Sequence, residues 1–316
     1  IPEPSDTRLS NDAVIHGFND FMTQCRHSPV IRIPASPLKR IRDEPDGRRF
    51  ADADIHVTDS VSEQENNSST IKTNRTMSNE TFVAFATQKG GIGKSTVTAN
   101  LALALASEGA KVGVLDADIY GPSQPTMLGA SGTPQSKDGK TMEPIEANGL
   151  QINSIGFMVN PADPVIWRGP VIAGVVKQFW SDVVWGDIDY LFVDMPPGTG
   201  DVPLTVFQSL PVDGIIVVTS PQELVSMIVA KAVNMAKALN VPVMGLVENM
   251  SYFICPNCNE KHYIFGETKL DALAKEFGIS ATAQIPMDPH IAELCDEGHV
   301  DQVPAPWLKD IIAALS

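Results

Sequence analysis

Apolar and polar positions divide the 316 residues into two territories. From Thr81 onward, short runs that are apolar at nearly every position alternate with longer stretches of helical period. The strand-like runs are Thr81 to Thr87, Lys111 to Leu115, Leu150 to Ile155, Asp189 to Val193, Gly214 to Thr219, Val243 to Val247 and Ala281 to Ile285. Between them lie helix-like stretches: Val97 to Ser107, Val171 to Trp185, Leu204 to Leu210, Glu223 to Leu239, Lys269 to Phe277 and Pro289 to Gly298. Strands such as GIIVVT and YLFV leave no face for water, which is the signature of a parallel sheet covered by helices on both sides. The pattern predicts a doubly wound α/β fold with a mainly parallel sheet. Ahead of it, Asp59 to Asn79 is rich in Ser, Asn, Thr and Glu and reads as a disordered linker. Asn11 to Gln24 has helical period until Pro29, Pro34 and Pro37 break it. The expected organisation is a leader over 1–78 and one domain over 79–316; Met77 offers a start for that domain, which would make the leader foreign.

Between the first strand and first helix stands Lys89-Gly90-Gly91-Ile92-Gly93-Lys94-Ser95-Thr96. A glycine-rich turn at a helix N-terminus lets backbone N–H groups approach phosphate oxygens, and the helix dipole favours the negative charge. Gly90, Gly91 and Gly93 are candidates for that cradle. Lys94 would place a point charge at the β- and γ-phosphates, and the Ser95 hydroxyl would ligate Mg²⁺. Gln88 occupies the position of the first glycine in the usual GxxxxGK[ST] spacing, so the loop is a variant. Carboxylates at the ends of two other strands converge on the same crevice in an open α/β sheet. Asp194 is placed to hold Mg²⁺, Asp116 to contact Mg²⁺ water or Lys94, and Asp118 to orient an attacking water. The competing reading of all three is ordinary strand-end turn chemistry.

Four cysteines, Cys25, Cys255, Cys258 and Cys295, are too few and scattered for a disulfide scaffold and fit a reducing compartment. Only Cys255 and Cys258 are close, with Pro256-Asn257 between them. One such pair gives two ligands where a zinc site or a [4Fe–4S] cluster usually takes four. A two-fold dimer would supply the other two. His262 is the only alternative ligand close in sequence but reads more as a loop or supporting residue, Cys295 reads as a small packed hydrophobe, and Cys25 has no assignment. Asn259-Glu260-Lys261 reads as an open loop, unlike a thioredoxin-type redox pair. Residues 79–316 hold thirteen Lys and Arg, Arg168 the sole arginine, against twenty-six Asp and Glu. That balance argues against a nucleic-acid partner. Arg168 serves either the dimer and switch region or a plain salt bridge. No apolar run approaches the roughly 20 residues that span a bilayer, the N-terminus lacks a secretory h-region, and the leader is too acidic for a transit peptide. The expectation is a cytoplasmic protein without a membrane partner.

KGGIGKST, DADIYGPS (Asp116 to Ser123) and DMPPGTGD (Asp194 to Asp201) resemble the deviant-Walker, dimerising P-loop ATPases. With GLVENMS (Gly245 to Ser251), Cys255-Pro256-Asn257-Cys258 and IFGE (Ile264 to Glu267), the chain is similar to the Mrp/ApbC family of iron–sulfur cluster carriers. The resemblance implies an ATPase that holds a [4Fe–4S] cluster between two subunits on Cys255 and Cys258, in a loop at about 250–266, and passes it to apo-proteins; Zn²⁺ is the alternative there. It implies that Lys89 reaches the nucleotide of the partner subunit, that Gly90, Gly91, Gly93, Lys94, Ser95 and Thr96 hold ATP and Mg²⁺, and that Asn249 reads the adenine edge. Pro197, Gly198 and Gly200 resemble a γ-phosphate-sensing switch. The runner-up is a ParA/MinD-like positioning ATPase on a membrane or nucleoid, which Thr87-Gln88 resembles. Its prediction of a basic amphipathic C-terminal helix is poorly met, because Pro306 to Ser316 carries only Lys309 and Asp310 as charges.

Overall fold

In the computed structural model, which describes residues 80–87, 90–159, 169–198, 200–221 and 225–315, the apolar runs become the strands of one sheet. The leader with its expected linker, the Asn11 to Gln24 helix, Cys25, Lys89 and Arg168 lie outside the described residues. Strand β1 (Thr81–Ala86) leads through the glycine turn into α1 (Lys94–Ser107). Next come β2 (Val112–Asp116), the one-turn α2 (Gln124–Met127), and the hairpin of β3 (Ile145–Ala147) and β4 (Leu150–Ser154). Helix α3 (Gly169–Ser181), β5 (Tyr190–Asp194), α4 (Asp201–Ser209), β6 (Gly214–Thr219), α5 (Val225–Ala238) and β7 (Val243–Glu248) follow. The chain continues through β8 (Phe253–Ile254), β9 (Lys261–His262), α6 (Leu270–Phe277), β10 (Ala281–Gln284), α7 (Pro289–Asp296) and α8 (Lys309–Leu315).

The eight-stranded sheet has the order β10-β7-β6-β1-β5-β2-β4-β3. Every neighbouring pair is parallel except β3 with β4. Alternation along β1 explains the two cores. Phe82, Ala84 and Ala86 face one layer, where Phe179 of α3, Val206 of α4 and Val233 of α5 are packed. Val83 and Phe85 face the other, with Val97 and Leu101 of α1 and Ile311 of α8. Phe85 meets Phe192 of β5 edge-on at 5.2 Å, and Phe82 meets Trp180 at 4.8 Å. The chain order reverses at β1, whose neighbours are β5 and β6. An open α/β sheet binds its ligand beyond the strand C-termini at that point, and there the glycine turn lies.

Some boundaries differ from the sequence pattern for physical reasons. Helix α1 begins at Lys94, a turn earlier than the apolar period indicates, because its first turn presents polar groups to the crevice. Helix α3 ends at Ser181; Val183 and Trp185 stay apolar because they enter the core, Val183 bridging Met142 and Trp185 Nε1 donating to Phe179 O at 3.3 Å. The segment after Cys258 is not an open loop: β9 pairs antiparallel with β8, Phe253 opposite His262 and Ile254 opposite Lys261. The last helix buries Ile311 and Leu315, so these two apolar residues are committed to the core.

Candidate functional site

The glycine turn needs its glycines. Gly91 and Gly93 have φ of 75° and 78°, the left-handed region that side chains resist. A Cβ on Gly93 would also come 2.1 Å from Asn249 Nδ2. Gly93 caps α1 with no side-chain hydrogen bond, leaving the first-turn N–H groups for an anion. Ser95 and Thr96 stand on that turn, half-buried.

Beside it, Lys94 is buried and ion-paired with the fully buried Asp194, and its ammonium lies 3.3 Å from Ser95 Oγ. Asp194 Oδ2 accepts from Gln124 Nε2 at 2.8 Å, and the same nitrogen donates to Ser95 O at 3.1 Å. Asp116 lies one strand over, its backbone in register with that of Asp194. Its Oδ2 accepts from Ser154 Oγ at 3.0 Å and from the Ser123 and Gln124 amides at 3.2 and 3.3 Å, while Oδ1 accepts from the Asp118 amide at 3.2 Å. Complete burial, followed by the Asp194 charge, pushes Asp116 up to about 8; Lys94 opposes the shift. Desolvation also raises Asp118, whose Oδ1 accepts from the Gly121 amide at 3.2 Å and which shares the field of Lys94 and Asp194. Two carboxylates at one cationic point are costly without compensation, and the structure meets that cost with hydrogen bonds and Lys94. The set fits a hard cation. It offers a hydroxyl and carboxylates, the donors Mg²⁺ takes beside phosphate oxygens, and a cation already stands at Asp194 in the form of the Lys94 ammonium.

Sequence reasoning missed Gln124 and Ser154. Gln124 directly follows the DADIYGPS segment, and the buried carboxylates were the available signal, since each requires donors. Asn249, expected to read an adenine edge, is itself hydrogen-bonded through both side-chain polar atoms. Its Nδ2 donates to Ile92 O at 2.9 Å and its Oδ1 accepts from the Met250 amide at 3.0 Å, so the amide ties the glycine turn to the end of β7. It still lines a cavity of about 550 Å³ between α1, α2 and α7, shared with Thr96, Asn100, Met287 and Cys295. Asn100 Oδ1 is buried there with no partner among the described residues. Cys295 lies in this wall and is not part of the group formed by Cys255 and Cys258, and desolvation raises its thiol. The segment expected to act as a switch reaches the end of β1, just ahead of the glycine turn: the Gly198 amide donates to Thr87 O at 2.9 Å, and Gly198 has φ 94°. Thr199 is outside the described residues.

The cysteine pair sits at the tip of the β8–β9 ribbon. The Cys255 amide donates to Glu260 O at 3.0 Å and the Asn259 amide to Cys255 O at 2.8 Å, with Asn259 at φ 58° closing the turn. The amides of Cys258 and Asn257, and then the Cys258 thiol, lower the pKa of Cys255 and so favour its thiolate. The Sγ atoms of Cys255 and Cys258 and a ring nitrogen of His262 lie within 4.8 Å of one another. The ribbon thus brings His262 within reach as a ligand, the lesser of its two readings from the sequence. Around the tip, Ile254, Tyr263, Ile264 and Phe265 are exposed. No helix among the described residues is long and apolar enough to cross a membrane.

Comparison with known proteins agrees with this arrangement. The family profile described as ParA: NUBPL iron-transfer P-loop NTPase matches residues 78–313. An iron-sulfur cluster carrier protein of Pseudomonas fragi is 48% identical over 219 residues, covering 69% of this chain and 76% of the relative. The iron-sulfur cluster carrier protein of Aquifex aeolicus is 47% identical over 219 residues, 69% of this chain but 60% of that protein, so the match spans less than two thirds of its length. Among solved structures, a nucleotide-binding protein from Archaeoglobus fulgidus in complex with ADP has 41% identity and a TM-score of 0.66, covering 73% of this chain and 92% of that one. A glycine turn facing paired carboxylates at the reversal of the sheet, and a match running from before β1 into α8, place the chain in the family of ParA-type, NUBPL-like iron-transfer P-loop NTPases.

Proposed function

We propose that the chain is an ATP-binding and hydrolysing iron–sulfur cluster carrier. It holds a [4Fe–4S] cluster between two copies and passes it to apo-proteins. The observation that carries this reading is the ribbon tip, where two thiols converge at an exposed edge. One copy offers two thiolates, a cluster takes about four, and two-fold symmetry supplies the rest. The exposed apolar residues beside the tip suit a surface covered by the second copy.

In this reading ATP lays its phosphates on the amides of Gly90 to Thr96, with its base in the cavity beside Asn249. Lys94 leaves Asp194 for the phosphates, and Ser95 and Asp194, with Asp116 behind them, hold Mg²⁺. The metal supplies Lewis-acid stabilisation of phosphate charge when bound. Asp118 orients the attacking water, and Lys89 reaches the partner's nucleotide. Catalysis here is positioning and electrostatics rather than covalent chemistry. Two hydrogen bonds support a mechanical link to the cargo. Gly198 N to Thr87 O connects the switch to the turn, and Asn249 Nδ2 to Ile92 O connects the turn to β7, four residues before β8 begins. Loss of the γ-phosphate would reach the cysteine ribbon along that path.

The test is anaerobic reconstitution with iron and sulfide. About four iron and four sulfide per dimer are expected, absent from a Cys255→Ala/Cys258→Ala protein. A wild-type protein that takes up no cluster, or a cluster indifferent to the double substitution, would overturn the carrier reading.

A further inference from the structure

The ribbon holds more donors than a bridged cluster uses. Two copies supply four thiolates, which complete a [4Fe–4S] cluster without any imidazole. Yet His262 is brought to the same point as both thiols within one copy, their ligand atoms all within 4.8 Å. The placement follows from backbone structure. His262 is opposite Phe253 in the β8–β9 ladder, and the amide bonds across Cys255, Asn259 and Glu260 fold the intervening turn back over it. Around a tetrahedral ion, bonds of about 2.3 Å to sulfur and about 2.0 Å to nitrogen hold donors roughly 3.5 Å apart, so side-chain rotation at this exposed tip closes the set.

We propose that Cys255, Cys258 and His262 of a single protomer bind one divalent ion of the zinc or ferrous class, with the fourth position open. Two thiolates and a neutral imidazole select a borderline-soft ion over Mg²⁺ or Ca²⁺ and neutralise its charge. Three protein donors and an exposed fourth position make an open site, able to accept a further thiolate from outside. The single-ion state and the bridged cluster use the same thiolates, so they exclude each other; His262 serves the first and is released in the second. The inference concerns the loop of the proposed carriage but depends on one protomer alone.

The experiment is anaerobic titration with Co²⁺, read by its thiolate charge-transfer and tetrahedral visible absorption, with competition by Zn²⁺ and Fe²⁺. The expected result is one ion per protomer, displaced readily by Zn²⁺ and by Fe²⁺ only in large excess, since ferrous iron binds such donors more weakly than cobalt. Replacing His262→Ala should weaken binding about tenfold or more and change the spectrum, because loss of a bonded ligand costs at least as much as loss of a supporting one. His262→Cys should restore tight binding with more thiolate character, a rescue that a structural role would not give. His262→Ala should still take up iron and sulfide, and unchanged MgADP binding would show that it folds. Saturation at one ion per two protomers, binding indifferent to His262→Ala, or binding retained by Cys255→Ala/Cys258→Ala would overturn the proposal. Cobalt binding as described, in a protein that takes up no cluster, would refute carriage and leave this site standing.

Discussion

At the residue scale the crevice is governed by two buried carboxylates sharing one ammonium. Lys94 neutralises Asp194 directly, whereas Asp116 relies on hydroxyl and amide donors, and its pKa is raised to about 8. The consequence for stability has a definite sign. A carboxyl near 3.8 when unfolded and about 8 when folded retains its proton in the native state across that interval. The folded state then binds more protons, so stability of the nucleotide-free protein falls as pH rises from about 4 to 8, by at most about 1.4 kcal/mol per unit, and levels off above. Asp116→Asn should flatten this slope in urea unfolding at pH 5 to 8. An unchanged slope would place the charge elsewhere. The sequence showed which acids stand at strand ends, but their protonation depends on distances between strands remote in the chain. Asp116 and Asp194 face each other only because β2 pairs with β5.

Among elements, a backbone-on-backbone contact joins the end of α2 to the end of α7. Gly129 and Gly298 have φ of 57° and 80°, and a Cβ on Gly298 would come 2.9 Å from Gly129 Cα and 3.0 Å from Thr126 O. Both neighbours are backbone and cannot swing aside. Gly298→Ala should therefore cost about 2 kcal/mol or more, from left-handed strain plus overpacking, read as a lower urea midpoint. Because α2 carries Gln124 to Asp194 and α7 walls the adjacent cavity, the same change should weaken ADP binding. A midpoint and affinity equal to wild type would show that the contact relaxes freely. The second link is Asn249. Its bond to Ile92 O ties the phosphate turn to the strand feeding the cysteine ribbon. Asn249→Ala should leave cluster uptake intact while cutting the difference between cluster-transfer rates with and without ATP by about tenfold, on the order of one charge-free coupling bond. Equal ATP dependence in the two proteins would remove Asn249 from the path. Periodicity marked the long helices and missed α2, β3 and the ribbon. A one-turn helix and strands of two or three residues carry too few positions for a period, and they owe their form to what they pack against.

For the whole molecule, the proposed carriage requires a second copy to complete both the nucleotide site and the cysteine site. The resemblance gives Lys89 to the partner's nucleotide, and the ribbon leaves Cys258 and its apolar residues exposed, with Cys255 half-buried beside them. ATP should therefore favour a dimer in which both sites close together. Light scattering should show ATP shifting wild-type protein from monomer to dimer, with Lys89→Ala remaining monomeric while still binding nucleotide. A Lys89→Ala protein that dimerises normally would sever the proposed bridge. By itself the sequence determined the layered parallel sheet, because strands apolar on both faces cannot face water, and it determined the anion turn, because glycines, lysine and hydroxyl residues act through adjacent backbone. Tertiary structure alone decided what depends on distant segments meeting. Strand pairing brought Asp116 beside Asp194, packing of α2 sent Gln124 to the carboxylate, and Asn249 turned toward Ile92. His262 became a neighbour of two thiols through a two-residue ladder. Local chemistry is written in spacing, whereas charge state and ligand sets arise from geometry that only the folded chain possesses.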